Sequence, residues 1–356
     1  METQIPNSGE RLDFDRALAL YESTDLWQLG RLAENYTLSR QGRQVYYSIN
    51  LHINYTNVCR FQCRFCGFSR RPNQSGAYVM TVDEVVSQAR AAQKNGASEV
   101  HIVGGVHPDL PFEYYKGVLA GIRQACPNMH IKAFTAVEII DIAEKYGASI
   151  EDTLKELMAA GLGAMPGGGA EILDEQYFQR VCPNKPGPDK WLAVHATAHQ
   201  LGLMTNATML YGYQETIADR IRHLLRLRSL QDESLRQGRG RFLCFVPLPY
   251  IPPNSKTELG YAVDAVTEMK TIAICRLVLD NFDYIKAFWP MLGVKSAQIA
   301  LCFGANDLDG TVQQYSIVDK GRNNDDDHLS VEAIRELVTQ ADRVPVQRDG
   351  LYQVML

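Results

Sequence analysis

The sequence predicts an α/β barrel of the TIM type with N-terminal and C-terminal helical extensions. Three observations lead there. Short apolar runs alternate with amphipathic segments along most of the chain, the rhythm of parallel βαβ units. At least seven such runs follow one another with no break in composition, which favours one barrel over two doubly wound domains. The unusual residues nearly all come directly after a strand-like run, where barrels of this kind carry their chemistry.

The elements follow in order. Residues 12–39 have apolar positions at helical spacing, and residues 47–54 alternate as a strand does. Residues 81–95 read as a helix opened by a Thr81/Glu84 capping box and ended by Gly96. Strands are expected over 98–103, 130–135, 163–165, 204–211, 241–246 and 284–288. Between them, helices are expected over 112–126, 149–160, 189–201, 216–237, 261–281 and 294–303, with Gly202 as a C-terminal stop. Residues 320–327 are polar and read as a loop, and 331–341 as a last helix. The expected organisation is an N-terminal helical extension over 1–46, the barrel over 47–318, and a loop and helix over 319–356 packed on the barrel.

Composition narrows the function. With 356 residues, 46% hydrophobic and 22% charged, the chain can bury a large core. A net charge of −5 argues against nucleic acid as the main partner. No apolar run approaches the ~20 residues of a membrane span, so no membrane insertion is expected. The first ten residues are polar and lack the apolar stretch of a secretory signal, so a cytoplasmic protein is expected.

Of eight cysteines, three fall between Cys59 and Cys66. Cys126, Cys182, Cys244, Cys275 and Cys302 are scattered, and Cys244 and Cys302 lie in apolar stretches where a small buried hydrophobe is the plain reading. A disulfide framework belongs to small secreted chains, which this is not. The triplet has the spacing Cys59-x3-Cys63-x2-Cys66, directly after the first expected barrel strand. Thiolates hold iron–sulfur clusters, and a four-iron cluster normally takes four of them. Three leave one iron open for another ligand. A structural zinc site needs four donors, usually as two separated pairs. His52 or His101 could be a fourth, but no second cysteine pair exists. Core packing is the weakest reading, because arginine and glutamine stand between the cysteines.

This triplet, with Phe65 just before its last cysteine, resembles the radical S-adenosylmethionine superfamily. The resemblance implies a [4Fe-4S] cluster on Cys59, Cys63 and Cys66 whose open iron is chelated by S-adenosylmethionine. It implies that Phe65 lies against the adenine and that Gly104 and Gly105 meet the methionine amino group, where glycine's missing Cβ allows a close approach. Glu171, after Met165-Pro-Gly-Gly-Gly-Ala, falls where related barrels put a polar group on the ribose or methionine. The dinucleotide fingerprint fails here, because Gly161 and Gly163 would need a third glycine where Pro166 stands. In the strand 204–211, Thr208 and Tyr211 fall on the cofactor-contacting segment, with Gly212 and Glu215 at matching places and Thr208 where the pattern often has glycine.

His195 and His199, four apart on an expected helix, lack a third ligand and are expected to be surface or capped residues. Asp325 to Asp327 lack calcium-loop spacing.

Longer stretches sharpen the resemblance. Gly104-Gly-Val-His-Pro-Asp109, Lys132-Ala-Phe-Thr-Ala-Val-Glu138 and Thr205-Asn-Ala-Thr-Met-Leu-Tyr-Gly212 look like the menaquinone and deazaflavin subgroup. Cys182-Pro-Asn-Lys185, Lys286-Ala-Phe-Trp-Pro-Met-Leu-Gly293, Asp307-Leu-Asp-Gly-Thr-Val312 and Arg343-Val-Pro-Val-Gln-Arg-Asp349 resemble the aminodeoxyfutalosine synthases. That resemblance implies addition of the 5′-deoxyadenosyl radical to the vinyl carbon of 3-[(1-carboxyvinyl)oxy]benzoate, then aryl migration and decarboxylation. S-adenosylmethionine is then a co-substrate. It also implies an electron donor such as a flavodoxin or ferredoxin. The substrate, an aryl enol ether dicarboxylate, calls for cations at the cavity. His52, Arg70, Arg71, His107 and Lys132 are the candidates by position. The sister cyclase acting on dehypoxanthine futalosine and the deazaflavin-pathway synthase share these motifs and are the competing expectations.

Overall fold

The computed structural model describes residues 11–252, 262–312 and 328–355. The run expected over 47–54 is two strands, β1 (Gln44–Ser48) and β2 (Asn50–Ile53), separated at Ile49. From β2 the chain builds a seven-stranded sheet in sequence order, continuing with β3 (Glu99–Ile102), β4 (His130–Ala133) and β5 (Ala164–Met165). It is completed by β6 (Met204–Tyr211), β7 (Phe242–Pro249) and β8 (Tyr284–Ile285). Every pairing is parallel, for example His52 beside His101 and His101 beside Lys132.

Two further strands were not expected from the sequence. β9 (Asp307–Gly310) pairs with β1 and is bridged to the end of β8 through Lys286 and Asp307. Its backbone links the end of β8 to β1: Ala287 N–H donates to Asp307 at 2.8 Å, and Thr311 N–H to Ser48 at 3.1 Å. β10 (Val344–Gln347) lies on the other side of β1, so the C-terminal segment is a helix, Val331–Gln340, followed by a strand. Both strands are short and read poorly by alternation. The apolar part of 344–347 is two valines around Pro345, and Asp307, Asp309 and Gly310 depart from strand composition.

Helices wrap the sheet. The Thr81/Glu84 capping box forms as expected, and equivalent boxes open the helices Ala136–Tyr146 (Thr135/Glu138) and Ile217–Gln237 (Thr216/Asp219). The segment expected as one helix over 12–39 is two, Phe14–Ser23 and Leu26–Gln41, because Asp25 caps the N–H groups of Trp27 and Gln28 and restarts the helix. Leu26–Gln41 packs on Ala265–Val278. Gly30 lets it sit against Phe303, which a Cβ would meet at 2.6 Å. The expected loop 320–327, the acidic run within it and the expected barrel boundary at 318 lie outside the described residues. Among the described residues, no helix is long and apolar enough to cross a membrane.

Candidate active site at the barrel mouth

The C-terminal ends of the strands surround a cavity of about 330 Å³. Each strand contributes by its pleat, in which alternate residues face one side. β6 presents Asn206, Thr208 and Leu210; β7 presents Val246 and Leu248; β2, β3 and β9 present His52, His101 and Asp309. The loops after the strands supply the rest of the rim, among them Gly104, Gly105, Thr135 and the Pro166–Gly169 turn.

The cysteine loop follows β2. Cys59 N–H donates to the Arg70 carbonyl at 3.0 Å and Arg70 N–H to Asn57 at 2.8 Å, so the loop leaves and returns beside itself. Arg70 is folded back over this loop, donating to the carbonyls of Gly67, Phe68 and Ser69 at 2.8, 3.3 and 3.0 Å. Cys59, Cys63 and Cys66 are free and half-buried, and Cys59 and Cys66 line the cavity together with Phe65. Among the described residues, no three His, Cys, Asp or Glu side chains group to hold a single metal ion. Three cysteines on one loop, two of them facing the cavity, would instead hold a larger iron–sulfur cluster.

Gly104 and Gly105 line the cavity, and their missing Cβ atoms make room for the cysteine loop. A Cβ on Gly105 would stand 2.3 Å from the Val58 carbonyl oxygen, and one on Gly104 would stand 2.7 Å from the Tyr55 ring. The strand-to-loop turn after β3 therefore presses directly on the segment leading to Cys59. Glu138, unremarked as a site residue in the sequence, stands behind this turn. Its carboxyl accepts from Tyr55 OH (2.8 Å), Gly104 N–H (3.2 Å), Thr135 N–H (2.7 Å) and Thr135 Oγ1 (2.7 Å). Burial pushes its pKa up to about 7, outweighing those hydrogen bonds.

On the opposite wall, Glu171 takes a positive φ of 41° and pairs with Lys185. Burial lowers the Lys185 pKa, but Glu171 together with Cys63 and Cys182 raises it further, and the ammonium is held charged. Thr208 Oγ1 donates to the Gly167 carbonyl at 2.6 Å and ties β6 to the glycine turn. Gly167 itself packs on the Ala207 backbone, where a Cβ would come within 2.6 Å.

The floor of the cavity is ionic. Lys286 pairs with Asp309 and lies 3.5 Å from Asp307. Arg348 contacts Asp307 at 2.9 Å and Glu99 at 3.7 Å, and Lys132 contacts Glu99 at 3.0 Å. Three buried cations thus face three buried carboxylates, and His52 Nε2 lies 3.4 Å from Asp309. Burial favours neutral Asp309, but Lys286 and His52 hold its pKa well below the usual range. His101 stacks on His52 with ring centres 4.6 Å apart, and burial with the neighbouring His52 and Lys132 keeps it neutral.

Several expected contacts fall elsewhere. Lys132 is spent on Glu99 at the barrel floor and does not line the cavity. Arg70 holds loop carbonyls, Arg71 is exposed, and His107 Nδ1 accepts from Asp109 N–H at 3.0 Å outside the cavity. Tyr211 points away from the cavity, under the Arg220 guanidinium at 5.1 Å. Glu215 closes its own turn, accepting from Gly212 and Tyr213 N–H and pairing with Arg220. His195 and His199 are buried, not at the surface: both reach Thr205 Oγ1, at 3.0 and 2.8 Å. Lys286, Asp309 and Asn206 were missed as site residues, although all three stand in stretches that carry the resemblance. A lysine flanked by Ile285 and Ala287 and two aspartates around Leu308 are charges in apolar or strand context, and that was the available signal.

The radical SAM superfamily profile matches residues 53–227, and the CofH/MqnC C-terminal region profile matches 239–355. The chain is 39% identical to aminodeoxyfutalosine synthase of Streptomyces coelicolor, over 99% of this chain and 92% of that protein. The chain belongs to the radical SAM superfamily. It is 38% identical to aminodeoxyfutalosine synthase of Thermus thermophilus, covering 97% and 92% of the two chains. It is also 38% identical to the 5-amino-6-(D-ribitylamino)uracil–L-tyrosine 4-hydroxyphenyl transferase of Methanopyrus kandleri, covering 94% and 91%. The fold is similar to methylornithine synthase, with a TM-score of 0.73, 16% identity and 95% of both chains covered. It is likewise similar to the FeFe-hydrogenase maturase HydG of Carboxydothermus hydrogenoformans, with a TM-score of 0.74, 15% identity and 98% and 79% covered. As a radical SAM enzyme the protein uses a [4Fe-4S] cluster and S-adenosylmethionine.

Proposed function

We propose that this protein is a cytoplasmic aminodeoxyfutalosine synthase, joining the 5′-deoxyadenosyl group to 3-[(1-carboxyvinyl)oxy]benzoate. The observation that carries the reading is the near-full-length similarity to two such synthases, at 39% and 38% identity. The cluster on Cys59, Cys63 and Cys66 would supply the electron that cleaves S-adenosylmethionine.

The rest falls to the chain's own residues. The C5′–vinyl carbon bond forms, the aryl group moves from oxygen to carbon, and the carboxyl leaves as carbon dioxide with one electron returned. No proton is gained or lost in that balance, so the site needs no general acid or base. Its work is to hold an arene and a carboxylate beside C5′ and exclude other hydrogen donors. Val103, Leu210, Val246, Leu248, Phe288 and Met291 offer the apolar wall for an arene. Lys286, on the cavity floor, and Asn206, whose buried Oδ1 has no partner among the described residues, offer the polar end.

The 38% identity to the tyrosine 4-hydroxyphenyl transferase favours a second reading, in which the radical acts on tyrosine. The test is anaerobic turnover of the reconstituted protein with each substrate in turn, read by mass spectrometry. An adenosyl-bearing product from the aryl enol ether alone supports the proposal. Turnover that requires tyrosine and 5-amino-6-(D-ribitylamino)uracil overturns it.

A further inference from the structure

The capping box at the start of Ala136–Tyr146 accounts for one oxygen of Glu138 and leaves the other unexplained. Oε2 closes the box on Thr135 N–H and Thr135 Oγ1, both at 2.7 Å. Oε1 reaches past the helix and accepts from Tyr55 OH at 2.8 Å and Gly104 N–H at 3.2 Å. Tyr55 stands just before the cysteine loop, and Gly104 lines the cavity. One oxygen of a buried carboxyl thus ties the segment that feeds the cysteine loop to the turn that walls the cavity. The tie fixes one peptide group in particular. The Val103 carbonyl accepts from Asn54 Nδ2 at 3.0 Å, and Gly104 N–H, on the far side of the same peptide plane, is held by Glu138. In the next peptide, Gly105 N–H donates to the Thr56 carbonyl at 2.8 Å, so the Gly104 carbonyl points away from Thr56. Among the described residues that carbonyl accepts no hydrogen bond. A glycine pair is the least restrained place in a chain, and Glu138 is what holds the N–H of its first member.

We propose that Glu138, anchored by Tyr55, sets the affinity for S-adenosylmethionine by holding Gly104 so that its carbonyl presents an acceptor to the methionine ammonium. An ammonium brings three donors, and acceptors placed before it arrives cost nothing to order when it binds. Glu138 acts through the backbone of the turn and touches neither the ammonium nor the cluster. It is a positioning residue, not a catalytic one. The inference rests on membership of the radical SAM superfamily and is independent of which substrate the enzyme takes.

The test is equilibrium dialysis of radiolabelled S-adenosylmethionine against reconstituted protein with its cluster oxidised, so that none is cleaved. Tyr55→Phe removes the hydroxyl and keeps the ring that packs on Gly104. Loaded to wild-type iron content, it should bind about fivefold more weakly, the weight of one hydrogen bond. Glu138→Ala should weaken binding by more than about tenfold, because both bonds to Oε1 go. Thr37→Ala loses a buried hydrogen bond elsewhere, 3.0 Å to the Gly304 carbonyl from the helix Leu26–Gln41, and should bind as wild type does. The reduction midpoint of the cluster, measured without S-adenosylmethionine, should be the same in wild type and Tyr55→Phe. A wild-type affinity in loaded Tyr55→Phe overturns the inference, and this variant decides the matter even where Glu138→Ala takes up no iron. An equal weakening in Thr37→Ala overturns it too, as does a displaced midpoint in Tyr55→Phe, which would put the damage in the cysteine loop.

Discussion

Glu138→Gln tests the packing behind the Gly104–Gly105 turn. The Glu138 carboxyl is fully buried, and its pKa of about 7 stands above the ordinary 4.5 because burial disfavours the charge. A group raised in this way binds its proton more tightly when folded. Its contribution is complete below about pH 4.5 and is lost as pH rises through about 7. At roughly 1.4 kcal/mol for each pH unit between those values, the loss amounts to about 3 kcal/mol by pH 8. Glutamine carries no such dependence. It has a penalty of its own, because one carboxyl oxygen meets Gly104 N–H and the other Thr135 N–H, and an amide NH2 cannot accept from either. One backbone donor left unpaired costs about 1–3 kcal/mol at every pH. Wild type should therefore be the more stable near pH 5, and its advantage should shrink by about 3 kcal/mol and disappear near pH 8. Urea unfolding of both proteins from pH 5 to pH 8 measures the difference, in which other titrating groups cancel. A difference that does not change with pH refutes the reasoning.

Lys132→Met should destabilise the barrel by about 3–5 kcal/mol, because it leaves buried Glu99 with Arg348, 3.7 Å away, as its remaining ion-pair partner among the described residues. The double variant K132M/E99Q should recover most of that in the same melts, whereas a substrate contact would show as a raised KM without loss of stability. Gly105→Ala should displace the Val58 carbonyl that a Cβ would meet at 2.3 Å, and with it the cysteine loop. The expected result is iron content after reconstitution well below wild type with the far-ultraviolet spectrum unchanged, and full loading would show that the turn is looser than its contacts suggest.

What could be read from the sequence was set by local signals. The β-α rhythm, the Thr81/Glu84 box and the Cys59-x3-Cys63-x2-Cys66 spacing each declare themselves within a few residues, and the fold and cluster follow from them. The helix Ala136–Tyr146 escaped because residues 136–143 are all buried and show no polar face, although Thr135 and Glu138 announce its start. β9 escaped because its charges look like a loop until Lys286, Arg348 and His52 are brought to them from three distant parts of the chain. The same non-local pairing removed Lys132 from the substrate candidates. Position after a strand told which residues stand near the mouth, but not that Arg70 folds back on its own loop or that Tyr211 faces outward.

In the proposed reaction the adenosyl group itself is joined to the substrate by a radical released at the Cys59–Cys66 loop. Turnover with S-adenosylmethionine deuterated at both C5′ positions, in the presence of 3-[(1-carboxyvinyl)oxy]benzoate, tests it most directly. Wild type should form an aryl ketone product that keeps both deuterium atoms, and Cys63→Ala should form none. Label found instead in free 5′-deoxyadenosine, carrying a hydrogen taken from the substrate, would contradict it.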